Sequence, residues 1–324
     1  MTARPRVHVT RRLVRAVEEQ LGQWFDAVIP ESDQPSTPLS LQRALGDADA
    51  LLCTLTDRIT GEVLAAYPLR TRIIASYGAG TDHIDLDAAR AHGIVVTNTP
   101  DVLTDCTADL TIMLILMALR RAGEGERELR SGTWQGWHPT HLLGRRVGGA
   151  TLGLVGTGRI ARAVARRAID GFGMRVRYHN PHHPAVAELD ALGAAPCGSL
   201  GELLAGADVI SLHCPSTPDT RGLINAERIA AMPPGSVLIN TARGDVLDDN
   251  AVIAALGSGH LGAAGLDVYR GEPAFNPRYL ALDNVVLLPH LGSATRETRE
   301  AMGHRVIDNL AAFFAGETPP DRVA

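Results

Sequence analysis

At 324 residues, the chain exceeds the usual size of one compact domain, so two domains are expected. Hydrophobic residues make up 45% and charged residues 21%, an ordinary globular balance. The net charge of −5, with no basic run beyond a triplet, argues against a nucleic-acid binder.

Residues 1–20 contain arginines but no apolar core ahead of a small-residue cleavage site, so no secretory leader is expected. In residues 6–10, 27–29, 50–54, 72–76 and 94–97 short apolar runs read as strands. Residues 13–21, 39–45, 61–67 and 85–91 read as the helices between them. Strands that alternate with helices imply parallel pairing, and runs that are apolar on both faces imply a sheet covered on both sides. Residues 107–121 form the next helix. Their apolar run, 110–119, is about half of what a bilayer needs and reads as a buried core helix. A loop rich in Gly, Pro and Trp spans 131–144. A second alternating unit then follows, with strands at 151–155, 175–179, 209–212, 236–240, 262–267 and 285–288 and helices at 159–171 and 249–257. One long amphipathic helix is expected over 295–314.

Gly156-Thr157-Gly158-Arg159-Ile160-Ala161 comes directly after a strand and opens a helix. The first Gly permits the tight turn, the second lets backbone approach a pyrophosphate, and small Ala161 lets the helix sit on the strand. The N–H groups at Arg159 and Ile160 then face the phosphates at a helix N-terminus. This pattern predicts a bound dinucleotide. In NAD enzymes an acid about twenty residues further on bonds the ribose hydroxyls, and here Asn180 holds that place. An Asn does not repel a 2′-phosphate, and His182, His183 or Arg177 could attract one, so the expectation tilts from NAD(H) toward NADP(H).

Three later stretches place polar residues at the carboxyl ends of predicted strands, the edge where open parallel sheets bind ligands. They are Asn240-Thr241-Ala242-Arg243-Gly244, then Asp267-Val268-Tyr269 running to Gly271-Glu272-Pro273, and Pro289-His290-Leu291-Gly292. Reduction of a 2-keto acid needs a cation to hold the carboxylate and polarise the ketone, which suits the planar fork of Arg243. It needs a proton donor that works near neutral pH, which suits His290. It also needs an acid to orient that imidazole, which suits Glu272.

With these motifs the chain resembles the D-isomer-specific 2-hydroxyacid dehydrogenases over nearly its whole length. Further matching stretches are Gly78-Ala79-Gly80-Thr81-Asp82-His83, Cys106-Thr107-Ala108-Asp109 and Leu212-His213-Cys214-Pro215. Trp134-Gln135-Gly136-Trp137-His138-Pro139-Thr140 and the Tyr-His-Asn strand end are most similar to the glyoxylate and hydroxypyruvate reductase branch. The resemblance implies two doubly wound parallel α/β domains, with a Rossmann nucleotide domain (102–291) inserted into a flavodoxin-like substrate domain (1–101 plus 292–324). It implies that Ala79 and Gly80 offer N–H groups to the substrate carboxylate, and that Leu55 and Tyr77 shape the side-chain pocket. Thr107, Cys214, Pro215, Thr241, Ala242 and Asp267 become cofactor contacts beside Gly156, Gly158 and His290. The same resemblance implies a homodimer joined through the nucleotide domain. Two departures stand out: Ala161 in place of the third Gly, and Asn180 in place of the acid.

Cys53, Cys106, Cys197 and Cys214 show no paired spacing and read as free thiols in a reducing, cytoplasmic setting. His179, His182 and His183 with Cys197 and Cys214 fit no common zinc spacing, so no metal is expected. Phosphoglycerate, formate and phosphite dehydrogenases stay open as rival activities. A non-enzymatic, dinucleotide-sensing corepressor of the same fold also stays open.

Overall fold

The computed structural model describes residues 4–65 and 68–324. It divides into two compact units, Met1–Leu103 with Ser293–Ala324, and Thr104–Gly292.

Among its described residues the first unit holds five strands: β1 (Arg6–Val9), β2 (Asp26–Val28), β3 (Ala50–Cys53), β4 (Ile73–Ser76) and β5 (Val95–Thr97). Their order is β2-β1-β3-β4-β5 and every pairing between them is parallel, the flavodoxin-like arrangement. β3 and β4 are buried at every position, which explains why their sequences are apolar without alternation. The predicted helix 61–67 is observed over Gly61–Leu64; Ala66 and Tyr67 lie outside the described residues. Helix Arg296–Phe314 packs on β4, and the tail beyond it pairs with β5. There the Val323 N–H donates to the Val96 carbonyl at 2.8 Å, and the Val96 N–H donates to the Ala324 carbonyl at 3.0 Å.

The second unit holds β6 (Thr151–Val155), β7 (Arg175–His179), β8 (Ala195–Pro196), β9 (Val209–Leu212), β10 (Ser236–Asn240), β11 (Leu261–Leu266) and β12 (Val285–Leu287). They run in the order β12-β11-β10-β9-β6-β7-β8, all parallel. This is the Rossmann order with one added edge strand, and its direction of winding reverses between β6 and β9. Helix Thr104–Leu119 is apolar on most of its surface and buries Ala108, Thr111, Leu114, Ile115 and Ala118 against β10, β11 and the helix after the glycine turn. The predicted helix 159–171 is α-helical over Arg159–Arg166 and widens to a π-helix over Arg167–Gly171. Helix Ala122–Ser131 has no buried residue, so it leaves no apolar stripe in the sequence to announce it.

Candidate active site

The glycine turn follows β6 at the point where the sheet reverses. Gly156 has φ +97, and a Cβ there would stand 2.7 Å from the His213 carbonyl oxygen, so only Gly fits. Gly158 caps helix Arg159–Arg166, and a Cβ on it would meet nothing within 4 Å. The N–H groups of Ile160 and Ala161 find no acceptor among the described residues. Open space over Gly158 and free donors in the first helical turn fit a dinucleotide pyrophosphate. Arg162 Nε donates to the Thr157 carbonyl at 3.1 Å, and Asn180 Nδ2 donates to Thr157 Oγ1 at 2.8 Å. Asn180 Oδ1 accepts the His182 N–H at 3.0 Å. Both ends of the Asn180 amide are therefore engaged within the protein.

Beside the turn, β9 leads to His213 and Cys214, with exposed Pro215 next. Burial lowers the His213 imidazole to about 4 and raises the Cys214 thiol to about 11, so both are uncharged at neutral pH. Ser211 Oγ lies 2.9 Å from His213 Nε2.

Arg243 stands three residues beyond the end of β10, on backbone that Asn240 fixes. Asn240 is fully buried; its Nδ2 donates to the Arg243 carbonyl at 2.9 Å, and its Oδ1 accepts the Ala242 N–H at 3.0 Å. Arg243 Nη1 donates to the Ala242 carbonyl at 2.7 Å. Thr241 Oγ1 lies 2.9 Å from Thr111 Oγ1, and Thr107 Oγ1 donates to the Gly292 carbonyl at 3.0 Å. Gly244 passes so close to the chain after β11 that a Cβ there would lie 1.9 Å from the Tyr269 carbonyl carbon.

His290 follows β12 with φ +56, a left-handed conformation rare for a residue with a Cβ. Asp267, just past β11, secures that bend. Its carbonyl accepts the His290 N–H at 2.9 Å, Oδ1 accepts the Leu291 N–H at 2.7 Å, and Oδ2 accepts the Gly292 N–H at 2.9 Å. Burial raises the Asp267 carboxyl to about 6, against the Leu291 N–H, the His290 charge and the Gly292 N–H. Glu272 Oε2 lies 2.7 Å from His290 Nδ1, and Glu272 Oε1 accepts the Tyr269 N–H at 2.7 Å. Burial works to raise the Glu272 carboxyl. The hydrogen bond and charge of His290, the Tyr269 N–H and the Arg243 charge outweigh it and hold Glu272 below the usual carboxylate range. With Nδ1 committed to Glu272, Nε2 is the ring nitrogen left for a substrate.

In the first unit, Gly78, Ala79 and Gly80 follow β4, and Leu55 follows β3 on the adjacent strand. Tyr77 is buried, and its hydroxyl donates to the Arg299 carbonyl; burial pushes that hydroxyl up to about 12. Among the described residues, no group of three or more His, Cys, Asp or Glu could hold a metal, and no helix is long and apolar enough to cross a membrane.

The second-unit residues named as catalytic or cofactor-binding stand at or beyond the carboxyl ends of their strands, Thr107 excepted, which reaches Gly292 from a helix; Arg177, offered as a partner for a 2′-phosphate, lies inside β7 and pairs with Glu202. The sequence reading quoted Asn240, Gly244 and Tyr269 within its strand-end stretches without giving them a role, and it passed over Thr111. Gly244 left a usable signal, a Gly directly after the candidate Arg. Asn240 bonds Ala242 and Arg243, two and three residues on, a local turn pattern that the sequence does carry, whereas Thr111 and the Tyr269 hydroxyl reach groups distant in the chain and left no signal.

A family model for the NAD-binding domain of D-isomer-specific 2-hydroxyacid dehydrogenases matches residues 112–292. The chain belongs to this family. The dehydrogenase is 44% identical to a glyoxylate reductase of Thermococcus kodakarensis over 324 residues, 99% of this chain and 96% of that protein. A putative D-isomer-specific 2-hydroxyacid dehydrogenase from Polaromonas superposes with a TM-score of 0.92 at 42% identity, covering 99% of each chain. An NADPH-dependent glyoxylate/hydroxypyruvate reductase from Sinorhizobium meliloti, solved with NADP and malonate, superposes at 0.87 and 36% identity, covering 99% of this chain and 97% of that one. The dehydrogenase is therefore an oxidoreductase that uses a nicotinamide dinucleotide to interconvert small 2-keto and 2-hydroxy acids.

Proposed function

We propose that the enzyme reduces glyoxylate, hydroxypyruvate or a similarly small 2-keto acid to the D-2-hydroxy acid, with NADP(H) favoured over NAD(H). The observation that carries this reading is the Glu272–His290 pair, 2.7 Å apart in the unit whose β10 leads to Arg243. The names of the glyoxylate-reducing relatives support the choice of acid.

A bound nicotinamide supplies the hydride. Arg243 binds the substrate carboxylate and polarises the ketone with its planar fork. His290 donates the Nε2 proton to the oxygen that becomes the hydroxyl. Glu272 holds the ring by Nδ1 and stabilises its charged form before that transfer. Gly156, Gly158, Arg159 and Ile160 cradle the pyrophosphate; Thr107, Cys214, Pro215, Thr241, Ala242 and Asp267 complete the dinucleotide site. In the first unit, the Ala79 and Gly80 N–H groups suit the substrate carboxylate, and Leu55 and Tyr77 suit the wall that limits its side chain.

The preference for NADP(H) rests on the end of β7. No carboxylate stands at Asn180, and the Asn180 amide is occupied by Thr157 and His182. The amide at position 180 carries no charge to repel a 2′-phosphate, and exposed His182 and His183 follow Pro181. The expected homodimer belongs to the same reading. Leu129, Trp134, Trp137 and Leu143, all within fifteen residues of the second unit, are each exposed, which suits a protein contact in that segment.

A steady-state panel of glyoxylate, hydroxypyruvate, pyruvate, a branched keto acid and an aromatic one, each with NADH and NADPH, tests the reading. Highest kcat/KM for the two smallest polar acids with NADPH is expected. Preference for the aromatic acid or for NADH overturns the corresponding part. Tight cofactor binding with no turnover of any acid would favour the dinucleotide-sensing alternative.

A further inference from the structure

Gly78-Ala79-Gly80 is braced by the chain segment that follows β5. Asn98 Nδ2 donates to the Ala79 carbonyl at 2.7 Å, and the Thr99 N–H donates to the Gly78 carbonyl at 3.0 Å. A trans peptide is planar, so its C=O and N–H point in opposite directions. Holding the Ala79 carbonyl toward Asn98 turns the Gly80 N–H away from it. Holding the Gly78 carbonyl toward Thr99 does the same to the Ala79 N–H. Among the described residues, neither N–H meets an acceptor, although both residues are half-buried. Half-buried donors without partners are uncommon, and a carboxylate is the ligand that suits two of them side by side.

Asn98 is itself held in place. Its N–H donates to the Asp321 carbonyl at 3.3 Å, and its carbonyl accepts from Asn309 Nδ2 at 3.4 Å. Asn309 is fully buried and exchanges two hydrogen bonds with Asp321, at 2.8 and 3.0 Å. Arg305 closes the network on Asp321 at 2.7 Å. The turn is thus tied through Asn98 to the C-terminal helix and tail.

We propose that Asn98 is a positioning residue whose amide orients the Ala79–Gly80 peptide so that its N–H receives the carboxylate of the keto acid. The proposal rests on the keto-acid reading above; Asn98 touches the turn rather than the substrate. The role requires a donor. An Asp of the same shape would set an anionic oxygen against the Ala79 carbonyl, and an Ala would leave the peptide free to rotate.

The test compares wild type with Asn98→Ala and Asn98→Asp. It measures kcat and KM for the best keto acid, KM for the uncharged glycolaldehyde, and the Kd of oxamate in the complex with reduced cofactor. Loss of a charge-assisted hydrogen bond predicts that keto-acid KM and oxamate Kd rise roughly tenfold in Asn98→Ala and further in Asn98→Asp. Saturating kcat, the glycolaldehyde KM and the cofactor Kd should stay within about threefold, since none depends on the turn holding a carboxylate. If Asn98→Ala does not fold, Asn98→Ser keeps a shorter donor and carries the same readouts. Variants that match wild type for the keto acid and oxamate overturn the proposal, and so does an equal loss with glycolaldehyde, which marks a merely structural role. A wild type that turns over no keto acid overturns the functional reading instead.

Discussion

The carbonyl of Asp267 receives the backbone N–H of His290 at 2.9 Å, and its carboxylate receives the next two N–H groups, those of Leu291 and Gly292. A left-handed residue is thereby held by the backbone carbonyl of one almost fully buried residue, whose carboxylate fixes the two residues that follow. The cost is a carboxylate kept out of water, which raises its pKa to about 6. In the unfolded chain the same group titrates near ~3.9. Between these values the folded enzyme binds a proton that the unfolded chain does not, so this group's contribution falls as pH rises from about 4 to about 6. Above that window the ionised group lowers stability by on the order of 2 kcal/mol relative to pH 4. In Asp267→Asn that contribution is absent. Thermal melts of the cofactor-free protein should show the Tm difference between wild type and Asp267→Asn changing across this window, with the variant gaining relative to wild type as pH rises. A difference that stays constant from pH 4.5 to 7 would contradict the shift.

The Glu272–His290 pair leads to a prediction about turnover. His290→Ala removes the proton donor and should lower kcat by at least ~10²-fold, while the cofactor Kd changes little. Glu272→Gln keeps an acceptor for the ring but loses the charge that stabilises its protonated form. Its kcat should fall by roughly tenfold, a smaller loss than that of His290→Ala. Pre-steady-state reduction of the keto acid, followed by cofactor absorbance, separates chemistry from product release. Equal activity in wild type and His290→Ala would remove His290 from the mechanism.

Gly244 tests how the site is packed. Its hypothetical Cβ lies 1.9 Å from the Tyr269 carbonyl carbon, and the same segment carries the N–H that holds Glu272. Gly244→Ala forces apart the loops that present Arg243 and Glu272. We expect a loss of at least ~2 kcal/mol in stability from overpacking against backbone, read by urea denaturation. Keto-acid KM and kcat should both worsen in the folded fraction. A variant as stable and as active as wild type would show that the approach is not needed.

The fold was legible because its strands are buried on both faces and its helices mostly are not. Stretches such as 151–155, 209–212 and 236–240 match the observed strands to the residue, and the buried strands Ala50–Cys53 and Ile73–Ser76 differ from the expected 50–54 and 72–76 by one residue at one end. Helix Ala122–Ser131 escaped because it buries nothing, and β8 escaped because it is only two residues long. The candidates Arg243, Glu272 and His290 were chosen by residue type and order after the glycine turn, and the structure brings Glu272 and His290 together. The hydrogen bonds of Asn98 and Thr111 were not legible, because each joins groups whose meeting depends on the fold. Asn180 was legible as a departure from the acidic pattern, yet its bond to Thr157 was not.

That bond shapes the last prediction, which concerns cofactor choice. Asn180 donates to Thr157 Oγ1, a hydroxyl able to donate in return. In Asn180→Asp the carboxylate can therefore keep the link by accepting from Thr157, and its other oxygen can still accept the His182 N–H. The glycine turn should stay in place while a negative charge appears at the end of β7. That charge repels a 2′-phosphate and can bond the free ribose hydroxyls of NADH. The ratio of kcat/KM for NADH over NADPH should then rise by at least ~10-fold, most of it through the KM of NADPH, as expected for a like-charge contact at a partly buried site. Raising the salt concentration should shrink the effect, because screening weakens that repulsion. An unchanged ratio in a variant with wild-type Tm would place the reading of the 2′ position elsewhere, with His182 and His183 the next residues to test, since the Arg177 guanidinium is held by Glu202.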